Sequence, residues 1–314
     1  TTLQNDVVEL RISNKGGRIC YARLKEYDTY NDEPLVLFDE KESNFNFTLV
    51  TATNRVVNTG DLYFTPVKGN DPNSVIMRLN TGEGSHLDFT YTLKPDDYMV
   101  QYQILGTGLN GVLAPSTNAL DLLWEQDIRQ QEKGRKFEDR YVTLNYKFMA
   151  DDVEHLSSKQ IPNRLKWIGY KDMFFSTVLI SQEGFEATTL DSKAIPEGDV
   201  LKQFKTTTSV PFDLQGKEAT NLSLYFGPNK FALLKSFDKG VVAEQQLDLE
   251  KLVPLGWGIF RWVNQYFVIP LFNFLGQFIH SYGLLIFLLT VIVKLILFPL
   301  TYKSYMSSAK MRVL

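Results

Sequence analysis

Residues 7–24, VVELRISNKGGRICYARL, decide the fold of the larger part of this chain. Val8, Leu10 and Ile12 alternate with Glu9 and Arg11, a period of two that puts the apolar side chains on one face of a strand. Asn14-Lys15-Gly16-Gly17 supplies turn residues and RICYARL resumes the alternation, so the stretch reads as a β-hairpin. Similar runs recur at 45–50 (FNFTLV), 74–79 (SVIMRL), 87–93 (LDFTYTL), 99–105 (MVQYQIL), 141–148 (YVTLNYKF), 174–180 (FFSTVLI) and 222–227 (LSLYFG). Turn residues separate them, as at Gly69-Asn70-Asp71-Pro72, Lys94-Pro95-Asp96-Asp97 and Pro196-Glu197-Gly198-Asp199. Short strands without intervening helices predict a mainly β fold over residues 1–250, a large antiparallel β-sandwich. Helical spacing enters only at its end, where Pro228 precedes NKFALLKSF and Phe231, Leu234 and Phe237 recur.

The chain has 314 residues, enough for one large domain or two smaller ones. Its 33 basic and 36 acidic side chains give a net charge of −3, which offers no electrostatic reason for a nucleic-acid partner. The single Cys20 cannot form an internal disulfide, and it has no thiol neighbours at zinc or redox spacing. No metal site and no cofactor is expected. Neither an initiator Met nor an apolar leader precedes Thr1, so any targeting or anchoring segment is expected upstream.

Residues 252–302 carry only Arg261, His280 and Lys294 as cationic or imidazole groups and no carboxylate, and that break is the main boundary. From Gly256 to His280 a narrow polar stripe of Arg261, Asn264, Gln265, Asn273, Gln277 and His280 runs through an aromatic-rich helix. Such a helix lies in the membrane interface, with Trp257, Trp262 and Phe267 as anchors, and residues 251–281 are assigned to it. A second spanning helix is the alternative, in which the polar stripe and Pro270 would each need a partner in hydrocarbon. Tyr282 to Tyr302 is 21 residues, roughly 31 Å of helix, the thickness of the hydrocarbon layer. This segment is expected to span. Lys303, Lys310 and Arg312 follow without an acidic residue, so the C-terminal side is assigned to the cytoplasm and residues 1–281 to the opposite side.

Lys294 stands inside LLIFLLTVIVKLILFPL, residues 284–300. It is roughly 13 Å of helix rise from Lys303, deeper than its stem of about 6 Å can bridge. Insertion of such a lysine costs about 2.5–3.5 kcal/mol, which five or six leucine-like residues offset. Thr290 at i−4 and Thr301 at i+7 complete a hydroxyl-and-ammonium stripe, the mark of a face turned to a hydrated cavity. Snorkelling with local thinning, or an ion pair with another helix, is the structural alternative.

GWGIF (256–260) and the span ending VIVKLILFPLTYKSYMSSAKMRVL (291–314) closely resemble the YidC/Oxa/Alb family of membrane protein insertases, its bacterial YidC branch above all. SNKGGRI (13–19), KWIGYKDMFFSTVLI (166–180) and LYFGPNKF (224–231) extend the likeness over nearly the whole chain. The resemblance implies a periplasmic β-supersandwich closed by short helices, a periplasmic-side interfacial helix, a transmembrane helix over 282–302 and, at 303–314, the opening of a cytoplasmic helical hairpin. It implies a multi-pass protein of the bacterial inner membrane and a non-enzymatic role as insertase and chaperone, alone or with the Sec translocon. Lys294 matches a groove residue that is arginine in most members, and it would attract the acidic tail of a substrate helix. Lysine keeps that charge but lacks arginine's paired donors. Implied partners are nascent membrane proteins, the Sec translocon, the ribosome and the lipid bilayer. The family builds its groove from five helices and this sequence supplies one, so alone it is not expected to insert anything.

Other motifs weigh less. GTGLNG (106–111) fits G-x-G-x-x-G, but VLAPST follows with Pro115 and no helical period, which marks a loop. Ser307 and Lys310 form S-x-x-K without SDN or KTG partners, and the sequon-like NFT (46–48) and NLS (221–223) are common by chance. A mutarotase-like or sugar-binding sandwich would need a histidine and a carboxylate in a cleft; His86 and His155 are both expected at the surface. A membrane-tethered periplasmic scaffold is the remaining alternative, and it would not need Lys294.

Overall fold

The computed structural model describes residues 1–69, 71–156, 160–279 and 281–313, with side chains at all of these except 300, 304 and 307–313. The expected turn residue Asn70, the stripe residue His280 and the side chains of Ser307, Lys310 and Arg312 fall outside the described residues. The chain divides into two compact units, Thr1–Leu252 and Val253–Leu314.

The first unit is antiparallel β throughout its strand pairings. Its opening stretch forms the expected hairpin: Val8–Ile12 pairs with Ile19–Asp28, flanked by Thr2–Gln4 and Pro34–Phe38 in a four-stranded meander. The turn between them also serves as a docking point. Gly16 N–H donates to the Leu62 carbonyl at 2.8 Å, Phe64 N–H to the Asn14 carbonyl at 2.7 Å, and the Tyr91 hydroxyl to the Gly17 carbonyl at 2.8 Å. Gly17 sits at φ +61°, where a Cβ would meet the Phe64 ring at 2.8 Å, so this position needs glycine for conformation and for space.

The remaining strands form one extended system. Along its main path lie Val56–Asn58, Ser43–Val50, Ala119–Arg129, Val200–Pro211, Phe175–Ala194, Thr220–Pro228, Met99–Thr107, Ser85–Leu93, Ser74–Gly82 and Thr65–Lys68. The 20-residue strand Phe175–Ala194 joins the two faces. Its first part, Phe175–Ser181, pairs with Thr220–Pro228, and its second, Glu186–Ala194, pairs with Val200–Pro211. Between them the strand bends: Gly184 (φ +93°) donates its N–H to Ser181 Oγ, and Ala187 stands at φ +48°.

The two faces pack through aromatic rings. Trp124 stacks on Tyr170 at 3.7 Å between centroids, and Phe45 and Phe47 meet Tyr102 and Phe89 at 6.1 and 5.7 Å. Tyr170 is fully buried, its hydroxyl 3.0 Å from the Trp124 carbonyl and 2.8 Å from Thr206 Oγ1, which satisfies the one polar atom the ring carries inward. This is the sandwich core that the alternation predicts.

Several central strands were not legible as such. Ala119–Arg129 and Val200–Pro211 pair over eleven positions, yet the first carries four charged residues and the second places Thr206 and Thr208 inward. GTGLNG completes the strand Met99–Thr107 with Gly106 and Thr107 before turning at Gly108, with no helix after it. The helix at the end of the unit is Phe231–Ser236.

In the second unit the helical path runs Ile259–Val263, a π-turn at Asn264–Val268, and Ile269–Gly276. The π-turn has a local cause. Ile269 N–H reaches back to the Asn264 carbonyl, and Pro270 follows with no N–H and a ring that would clash with the carbonyl four residues earlier. The next helix, Tyr282–Val313, continues past Tyr302 through all 32 residues, with Pro299 inside it. No break marks the expected boundary at 302/303.

Candidate functional site on the apolar helix

Tyr282–Pro299 is long and apolar enough to cross a membrane, with a mean hydropathy of 2.4 and only 6% of its residues buried within the structure. A helix so apolar and so uncovered is satisfied by lipid or by other helices, not by water. Lys294 is exposed on it. At 100° per residue, Thr290 and Thr301 lie within about 40° and 20° of Lys294 around the axis, so the three share one face.

The hydroxyls of that face are already engaged. Thr290 Oγ1 donates to the Ile286 carbonyl at 2.8 Å, and Thr301 Oγ1 is 2.8 Å from the Leu297 carbonyl and 3.0 Å from that of Phe298. Each threonine therefore offers outward lone pairs rather than a free proton, which Lys294 alone supplies. Residues 253–314 contain no Asp or Glu, so nothing in this unit neutralises the ammonium.

Of the aromatic residues expected to be interfacial anchors, Trp257 and Trp262 are exposed and Phe267 is half-buried. Two members of the polar stripe fold back on the start of the segment, Asn264 Nδ2 donating to the Leu255 carbonyl at 2.9 Å and Arg261 Nε to the Gly256 carbonyl at 3.4 Å. They satisfy carbonyls that no helical N–H reaches, a role the stripe reading did not assign.

Within the β unit, sequence reasoning missed a cluster of buried ionisable groups. Glu138 is fully buried and accepts the Gln131 and Glu132 N–H groups at 2.8 and 3.2 Å. Asp172, also buried, is pushed well above the usual carboxylate range, first by burial and then by Glu138; burial raises Glu138 as well. Burial lowers Lys171, whose ammonium donates to the Tyr141 carbonyl at 3.0 Å. Lys171 and Asp172 fall in the family-like stretch KWIGYKD, but nothing in their spacing announces burial.

Other candidates are committed elsewhere. His155 is exposed, while His86 is half-buried 3.6 Å from Asp88, whose carboxylate Arg78 already holds bidentately at 2.8 and 2.7 Å. Asp238, Asp248 and Glu250 bring carboxylate oxygens within 4.8 Å of one another. Asp238 accepts two backbone N–H groups there and Asp248 pairs with Lys147 at 3.0 Å and Lys251 at 3.4 Å, so local partners hold two of the three carboxylates.

Comparison with known proteins gives two family matches: YidC periplasmic domain over residues 1–270 and 60Kd inner membrane protein over residues 274–314. The membrane protein insertase YidC of Parabacteroides distasonis is 95% identical across the whole chain, which covers 50% of that protein. The homologous insertases of Azobacteroides pseudotrichonymphae and Bacteroides fragilis are 49% and 43% identical across the whole chain, covering 52% and 51% of theirs. The chain thus spans about half the length of the relatives it matches. Among solved structures, an active YidC insertase with its first transmembrane domain resolved aligns with all of this chain and 58% of its own at 16% identity and a TM-score of 0.39. A galactose mutarotase-like protein from Lactobacillus casei aligns over 72% of this chain and 99% of its own at 11% identity and a TM-score of 0.42.

Proposed function

This chain belongs to the YidC family, and from that premise we propose that the protein it forms part of inserts newly made proteins into the bacterial inner membrane, with Lys294 as the charge that receives them. One observation carries the reading. Lys294 is an exposed, unneutralised cation in the middle of an apolar helix, on one face with Thr290 and Thr301. An ion so placed costs several kcal/mol unless water or an anion meets it. A face lining a hydrated groove formed with other helices of the whole protein supplies the water, and an acidic substrate tail supplies the anion.

The chemistry is binding and release rather than catalysis. The ammonium lowers the free energy of a carboxylate-bearing tail at mid-membrane depth, and the substrate's apolar segment then moves sideways into lipid. Trp257, Trp262 and Phe267 hold the preceding helix at the interface on the periplasmic side. Cooperation with the Sec translocon, delivery by the ribosome and chaperone activity extend this reading to the whole protein.

The test replaces Lys294 in the full-length protein with arginine, alanine or glutamate and scores insertion of an acidic-tailed substrate. Arginine should preserve insertion and glutamate should abolish it. Full insertion with alanine and with glutamate would instead leave the protein a periplasmic scaffold.

A further inference from the structure

A cavity of about 350 Å³ in the β unit, within the size range of small-molecule sites, lies between residues 29–36, residues 129–131 and Asp199. These segments are far apart in sequence and are stitched together by the wall itself. Tyr30 N–H donates to the Gln131 carbonyl at 3.0 Å, Gln130 N–H to the Asp199 carbonyl at 2.7 Å, and Gln131 Nε2 to the Val36 carbonyl at 2.9 Å. Gln131 is only 3% exposed, so its bonds are shielded from water and the wall keeps one shape. Thr29 N–H donates to the Glu33 carbonyl at 2.7 Å, with Asp32 at φ +60°, and this closes the turn that carries Tyr30, Asn31 and Glu33. A wall set in advance loses little freedom when a ligand enters.

Several groups on that wall are uncommitted. The Tyr30 ring is 46% exposed and has no ring or cation partner among the described residues. Among the same residues, none donates to the carboxylates of Glu33 and Asp199, and the Asn31 amide has no partner. Arg129 spends Nε on Glu42 at 2.6 Å and Nη2 on Asp39 at 2.8 Å, which leaves Nη1 as a spare donor.

Charge then sorts the ligands. A phosphate or other anion would face the carboxylates of Glu33, Glu42 and Asp199, and a cation would face the Arg129 guanidinium. An apolar molecule would strip water from unpaired carboxylates and offer them nothing in return. A neutral molecule with several hydroxyls meets none of these penalties. Each hydroxyl can donate to a carboxylate and accept from Arg129 or Asn31, and the C–H face of a sugar ring can lie on Tyr30.

We propose that this cavity binds a neutral hexose-type sugar, with Tyr30 as the platform, Glu33 and Asp199 as hydroxyl acceptors, and Arg129 and Asn31 as donors. No histidine is among the residues that line it, so the site holds the sugar without opening its ring. The β unit thereby gains a recognition role separate from that of Lys294.

The experiment uses the full-length protein in lipid nanodiscs and saturation-transfer NMR observed on the ligand, with glucose, galactose, maltose and lactose as probes. At least one should take up saturation at its ring protons with a dissociation constant of about 1 mM or tighter. Tighter binding of a disaccharide would identify a glycan chain as the ligand, and equal or tighter binding of a monosaccharide a free sugar. Tyr30→Ala should weaken binding about tenfold, and Asp199→Ala by a similar factor. Both side chains are exposed, so neither change threatens the fold. Tyr63→Ala, which removes an exposed ring outside the cavity, should bind as the unaltered protein does. Absence of saturation transfer from all four sugars would overturn the proposal. So would binding that is undiminished in both Tyr30→Ala and Asp199→Ala, or binding of spermidine or inorganic phosphate at these residues in place of the sugars.

Discussion

Asp172 and Glu138 carry the clearest pH dependence in the protein. Both carboxyls are raised in the folded state, chiefly by burial, with Glu132 adding repulsion and Lys171 attraction at Asp172. The native state therefore holds protons that the unfolded chain releases near pH 4. Stability from these groups is complete below about pH 4 and declines as pH rises toward their raised native values. The unfolding midpoint should fall between pH 4 and pH 8. Asp172→Asn should flatten that slope and raise the midpoint at pH 8 by roughly 2–4 °C; an unchanged slope would refute the assignment. A second residue-scale expectation concerns Gly17. Gly17→Ala combines a left-handed backbone with a Cβ 2.8 Å from the Phe64 ring, so it should lower stability by roughly 1–3 kcal/mol in denaturant titration. That glycine was visible in the sequence as a turn former, whereas its contact with Phe64 spans 47 positions and has no local signature. The same holds for Asp172: burial comes from distant strands closing over it.

At the scale of elements, the bend in Phe175–Ala194 lets one strand serve both faces of the sandwich. Ala187, at φ +48°, adopts there a conformation that an L-residue holds only at a cost, and that glycine holds freely. Ala187→Gly should therefore leave the fold unchanged and raise the unfolding free energy by up to about 1 kcal/mol. A loss of stability would show that the methyl group packs in a way that outweighs the strain. The elements read most easily from sequence were those whose buried residues carry no charge or hydroxyl-only side chain, such as Val8–Ile12 and Met99–Thr107. Ala119–Arg129 escaped notice despite Leu120, Leu122, Trp124 and Ile128 alternating inward, because Gln126 holds the fifth inward place and charges fill the outward ones. The period was present; the polar inward residue hid it. Pro270 was legible as a helix disturbance, but its resolution into a π-turn depends on backbone geometry that no residue pattern encodes.

The whole molecule separates charge along its length. All 36 carboxylate side chains lie in residues 1–252, together with 28 of the 33 Lys and Arg, while residues 253–314 carry five cations and no acid. On the proposed function, an acidic substrate tail would be repelled by the net charge of the β unit and attracted by that of the helical unit, where Lys294 is the one cation within the apolar span. Lys294 was legible from sequence because a lysine in hydrocarbon is anomalous wherever it occurs; what faces it was not, since the groove would be completed by helices outside these residues. If the attraction acts through the ammonium itself, it must appear as a coupling between Lys294 and the substrate's carboxylates. A double-mutant cycle measures this: Lys294→Ala in the full-length protein, an Asp-to-Asn change in the substrate tail, and both together, each scored by protection of the inserted tail from protease. Either single change should reduce insertion about tenfold, equivalent to roughly 1.4 kcal/mol, and the two together no further. Lys294→Glu should then recover insertion of a substrate whose tail has been made basic. Additive losses, or failure of that charge swap, would place the role of Lys294 in packing or topology instead of substrate recognition.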